Sequence, residues 1–111
     1  MAKIGESELL AVEKLANKGS FQEWKFKVVI LMRSSGVYNI ALGTKKKPEN
    51  TAEVKDYVKE VSDWEQKDAL AQRIIVSTVE KRLVTHLLDC DTSAEMWTKL
   101  LGLFEQTTAD S

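Results

Sequence analysis

The side chains best suited to chemistry in this 111-residue chain are few and close together: one histidine, His86, and one cysteine, Cys90, four positions later. A histidine acts as a general base only when a partner orients its ring and a cleft brings substrate to it. His86 instead sits among Val84, Leu87 and Leu88 on a predicted helix, which reads as an ordinary surface or core-edge position. Cys90 needs a nearby cation or helix N-terminus to become a nucleophilic thiolate. It is flanked by Asp89 and Asp91, whose charges act the other way and raise its pKa. The two residues together supply two metal ligands where a structural zinc site takes four. The five glycines stand apart at positions 5, 19, 36, 43 and 102, so no phosphate-cradling loop is present. The residues therefore point to no catalytic centre, no metal, no cofactor and no small-molecule substrate.

Two other features carry charge in unusual places. Lys45, Lys46 and Lys47 run directly into Pro48. Three lysines are compatible with a phosphate contact but equally with a solvated loop, which is the simpler reading. Asp68 falls in the middle of an apolar helical stripe beside Ala69. Its simplest reading is a solvated position, because a buried carboxylate needs a capped backbone or a cationic partner. Sixteen basic residues against seventeen acidic ones leave a net charge of -1, without the basic excess typical of nucleic-acid binders.

The elements that hold these residues are helical. Phe21, Trp24, Val28, Leu31, Met32 and Ser35 recur at three- and four-residue steps and end at Gly36, predicting a helix over about 21–35. Its start is marked by Ser20 followed three residues later by Glu23. Similar pairs stand at Asn50 and Glu53, Ser62 and Glu65, and Thr92 and Glu95, with Ser77 and Glu80 marking a kink or restart. Val37 to Leu42 reads as one helical turn before the polar loop Thr44 to Asn50. The apolar stripe from Ala52 through Val54, Trp64, Ala71, Ile74 and Thr78 predicts one long helix or two abutting ones, continuing through Val79, Leu83, Val84, Leu87 and Leu88. A last helix is expected over about 93–106. Before Ser20, Leu9, Leu10, Val12 and Leu15 allow a short helix after Ser7, while Gly5, Asn17 and Gly19 allow a looped approach.

The expected architecture is an all-α bundle of about five helices: an arm or short helix over 1–19, a helical domain over 20–106, and a flexible tail over 107–111. Trp24, Trp64 and Trp97 each lie on the apolar stripe of a different helix and are expected to meet in one core with Phe21, Met32, Ile74, Leu83, Leu100 and Phe104. The longest apolar run, Val28 to Met32, is too short to cross a bilayer, and no signal peptide opens the chain. A soluble protein of the reducing cytoplasm is expected.

The run Phe21, Trp24, Lys25, Phe26, Met32, Gly36, Val37 and Tyr38 is followed at a characteristic distance by Trp64, Lys67, Asp68, Ala71 and Ile74. Thr92, Ala94, Glu95, Met96, Trp97, Leu100, Phe104 and Glu105 come next. That order, over about residues 15–106, resembles the N-terminal half of the Gag polypeptide of copia-type LTR retrotransposons. It departs from the family's Leu-x-Gly approach to the first aromatic, and it lacks the second helical region and zinc knuckle that follow in such polypeptides.

The resemblance implies a domain like a retroviral-type capsid N-terminal domain, whose copies pack into a virus-like particle around element RNA, with RNA held mainly by regions downstream. The same fold would serve a host-domesticated adaptor or an inhibitor of capsid assembly, and the lysine loop leaves a helical nucleic-acid-binding module as a further alternative. The segments expected at an interface are Leu9 and Leu10, together with the loop that begins at Lys45, Lys46 and Lys47.

Overall fold

A helix begins where its first unpaired N–H groups find an acceptor, and in the second helix that acceptor comes from Asn17. A computed structural model describes residues 5–49 and 56–105. In it α1 covers Glu6–Leu10, α2 Lys18–Ser34, α3 Tyr38–Leu42, α4 Tyr57–Ser77, α5 Lys81–Val84 and α6 Ser93–Phe104, with a 3-10 turn at Thr85–Leu87 after α5. The fold is all-α: the only extended pairing among the described residues is a single parallel bridge between Leu15 and Val79.

The Asn17 Oδ1 accepts the Ser20 N–H at 3.2 Å, so α2 starts three residues before the expected position and the Ser20–Glu23 pair falls inside it. At the other end Gly36 takes a left-handed φ of 75°, and Val37 donates its N–H back to the Met32 carbonyl at 2.9 Å. This closes the helix with the wrap-around expected of a glycine stop. Gly43, with φ 85°, ends α3 in the same way. A Cβ there would stand 3.7 Å from the Ala94 side chain, so α3 and α6 approach closely at this point.

The long helical stripe is interrupted at the Ser77–Glu80 pair, where the sequence marks a kink or restart. α4 ends at Ser77, and the Thr78 hydroxyl donates to the Ile74 carbonyl at 2.7 Å. The following residues run extended alongside Leu15, with Leu15 N–H donating to Thr78 O at 2.8 Å and Glu80 N–H donating to Leu15 O at 2.9 Å. Thr78 and Val79 are β-branched and suit this path better than a helix interior. The helix restarts with Glu80 as the residue before α5, and the Arg82 guanidinium reaches across to the Ala16 carbonyl.

The core is a ladder of rings. Phe104 of α6 stacks on Phe21 with centroids 5.6 Å apart, Phe21 on Trp24 at 5.9 Å, and Trp24 on Trp97 at 5.7 Å. The edge of Tyr38 meets Trp97 at 6.4 Å and 90°. Met32, Ile74, Leu83 and Leu100 are buried around this ladder, and Phe104 is half-buried at its end. Trp64 is a correction to the sequence expectation. It is half-buried at the surface of α4 and takes no part in the ladder, because its face of the helix meets the lysine loop instead of the bundle interior.

Leu9 is corrected as well: it is 5% exposed and belongs to the core cluster, while Leu10 beside it is 70% exposed. The short α1 therefore turns one leucine in and one out. The expected start pair Asn50 and Glu53 lies outside the described residues.

The Trp24 indole N–H donates to the Thr78 carbonyl at 2.8 Å in the interior. Trp24→Phe keeps a ring in the ladder but removes this donor and part of the packed area. It is expected to lower unfolding stability by about 2 kcal/mol, as read by urea denaturation followed through the remaining tryptophan fluorescence.

Candidate functional site

The three lysines, Trp64 and Asp68, all singled out in the sequence, converge on one groove. The loop after α3 brings Lys45, Lys46 and Lys47 over α4, and the N-terminal end of α6 closes the far side. The groove is open to solvent, with a volume of about 690 Å³.

Its geometry follows from α4. Trp64 donates its indole N–H to the Lys45 carbonyl at 2.9 Å, and Lys47 pairs with Glu65 one residue along the helix at 3.4 Å. These contacts lay the loop along α4 with the lysine side chains outward, and all three lysines are exposed. One turn further, Asp68 forms the floor. It is buried, and the solvated position expected from the sequence is overturned by the partners it finds. Its Oδ1 accepts from the Ser93 N–H at 2.9 Å and from the Ser93 hydroxyl at 2.7 Å, and its Oδ2 accepts from Gln72 at 2.7 Å. A carboxylate aimed at the first N–H of a helix meets the positive end of the helix dipole as well as two donors. Burial is tolerated because Asp68 acts as a remote cap of α6.

The start of α6 is thus held from two sides. Thr92 Oγ1 accepts from the Glu95 N–H at 3.2 Å, as the sequence pair predicts. Glu95 does not close the reciprocal bond on Thr92, however; it reaches one residue further back to the Asp91 N–H at 2.7 Å. Of the two remaining pairs, Ser62 with Glu65 marks no helix start, since Ser62 is inside α4, whereas Ser77 with Glu80 spans the break expected there: α4 ends at Ser77 and α5 restarts after Glu80.

The electrostatics of the groove are mixed. Facing the three lysines are Glu65, Asp91 and Glu95, so the wall of positive charge that a nucleic-acid backbone requires is countered across the gap. Chemistry is equally poorly served. His86 is exposed on the 3-10 turn, and Cys90 is half-buried beyond the groove. Burial raises the Cys90 thiol above its ordinary pKa, Asp89 adds to the effect, and Lys99 opposes it. Among the described residues no group of three or more His, Cys, Asp or Glu side chains is placed to hold a metal ion.

The exposed apolar surface includes Leu10, as the sequence suggested, but not Leu9. Besides Leu10, the large exposed apolar residues are Phe26, Ile30, Leu42, Val58, Leu88 and Leu103. Phe26 and Ile30 are one turn apart on α2, facing away from Trp24, Val28 and Met32 on its buried side. The pattern that could have revealed them is the second, weaker period on α2, which the stronger core stripe masks.

Among described residues no helix is long and apolar enough to cross a membrane. Residues 28–111 match the family described as gag-polypeptide of LTR copia-type, a span that starts within α2 and thus later than the sequence resemblance. No curated protein and no solved structure matches the chain.

Asp68→Ala leaves Ser93 without its acceptor in the interior and is expected to cost about 3 kcal/mol, measured by chemical denaturation. Because the Cys90 thiolate is disfavoured, alkylation by iodoacetamide at neutral pH should run slower than for a free cysteine in a peptide. Asp89→Asn should speed it, and a rate equal to or above the peptide's would contradict the environment described.

Proposed function

The chain belongs to the gag-polypeptide family of LTR copia-type elements, and on that premise we propose that it is a structural shell subunit, self-associating into a virus-like particle around element RNA. The observation that carries this reading is the match over residues 28–111, which takes in α3 to α6 and the C-terminal part of α2. The architecture suits the role. A ring ladder joined to a capped helix start makes a stiff body, and the polar groups of the groove are engaged in holding the loop and α6 together. Stiff subunits repeat one geometry, which closed shells need, and the contacts between them can be individually weak because they recur by symmetry.

RNA is assigned to other parts of such a polypeptide. With a net charge of -1 and acidic residues opposite the lysine loop, this region has little to attract phosphate. The cytoplasm, where element RNA is translated and packaged, is the compartment in which the assembly would take place.

Expressed in cells and fractionated by sedimentation, the protein is expected in fast-sedimenting material that negative-stain microscopy resolves as particles or their fragments. Purified protein should show scattering mass that rises with concentration. A species that stays monomeric at every concentration, with none in the particle fractions, would replace the shell subunit with a monomeric adaptor that keeps the fold.

A further inference from the structure

α2 presents two faces of different character. Phe21, Trp24, Val28 and Met32 point into the bundle. On the far side Glu23, Phe26, Ile30 and Arg33 follow one another at steps of three, four and three residues, and all four are exposed, Phe26 at 68% and Ile30 at 49%. That spacing is the seam of a coiled coil, with Glu23 and Ile30 in one kind of position and Phe26 and Arg33 in the other. Its two apolar residues sit at the centre and its two opposite charges at the ends.

The order matters because it is self-complementary. When two such helices pair antiparallel about a two-fold axis, position i of one faces position 56 minus i of the other, a relation set by the midpoint between Phe26 and Ile30. Phe26 of each copy then meets Ile30 of the other, and Glu23 meets Arg33 about 15 Å of helix away from its own Arg33. Next outward, Gln22 faces Ser34. A parallel pairing has no such match, since it would set Glu23 on Glu23 and Arg33 on Arg33. Within its own chain Glu23 already holds Lys27 at 3.1 Å, which fixes the carboxylate near the seam, while Arg33 makes no ion pair among the described residues.

We infer that the outward face of α2 is a two-fold contact between copies of this chain, with Phe26 packing on Ile30 and Glu23 pairing with Arg33 across the axis. The inference rests on the self-associating role proposed above and specifies one of its contacts. The seam is four layers long, so the contact belongs at the weak end of specific interfaces, below about 1,200 Å² of total buried surface.

Sedimentation equilibrium of the 111-residue protein over a concentration series tests it. The expected result is a monomer–dimer equilibrium whose Kd rises by about tenfold or more with Phe26→Asp, as for loss of a central anchor. Phe26 is exposed, and a near-ultraviolet circular dichroism spectrum that keeps its tryptophan bands would show that the bundle is intact. Glu23→Arg and Arg33→Glu should each weaken self-pairing by placing like charges opposite one another. Mixed together, the two single variants should pair again, because every cross-helix charge contact in the mixture is once more of opposite sign. A merely destabilised fold would not recover on mixing. A dimer indifferent to Phe26→Asp would overturn the seam while leaving self-association to another surface. A protein monomeric up to about 1 mM would also overturn the seam, and particle fractions from cells would then decide the shell reading separately.

Discussion

The carbonyl of Thr78 accepts two N–H groups in the interior, one from the backbone of Leu15 and one from the indole of Trp24. A carbonyl at the end of a helix has lost its partner four residues on and must find another. Here that need is met by the N-terminal arm and by α2 together, so three stretches far apart in sequence are tied at one oxygen. The consequence spreads outward. Leu15 is held extended against Val79, which brings Asn17 to the place where it starts α2, and Trp24 is oriented so that its ring meets both Phe21 and Trp97. A buried bond of this kind contributes modestly by itself, but leaving its donor or acceptor unpaired costs more, so the arrangement selects one packing over its near neighbours.

Asp68 does comparable work on the other side of the bundle. Its carboxylate joins the middle of α4 to the first residue of α6 across 25 positions of sequence. Apolar packing alone would let α6 slide along α4 with little penalty, whereas a buried carboxylate with two Ser93 donors is satisfied in one register. The lysine loop is then laid over the same helix by the Trp64 and Glu65 contacts. What resembles a ligand cleft is the seam between these parts, and its polar groups are engaged in architecture. This is the physical sense in which the chain suits a building block better than a catalyst.

The Trp24–Thr78 and Asp68–Ser93 bonds fix the packing of the rings between them. The outward face of α2 is part of that packing: the residues that bury its inner face also set the direction of Phe26 and Ile30.

Helical periodicity alone determined the class of fold, the approximate extent of α2 and α6, and the glycine stop at Gly36, because these depend on neighbours three or four residues away. It also determined the cap at Thr92. The arrangement in space decided the remainder. Asn17 and Ser20 are both competent caps, and only the pairing of Leu15 with Val79 makes the chain turn at the first. Trp64 and Trp97 look alike in sequence, since each lies on an apolar stripe, but only one stripe is covered by the bundle. Asp68 reads as solvated until Ser93 is brought to it, and Leu9 and Leu10 cannot be told apart until α1 lies down on one of them. A stripe says which side chains share a face; which faces are covered depends on where the other helices come to rest.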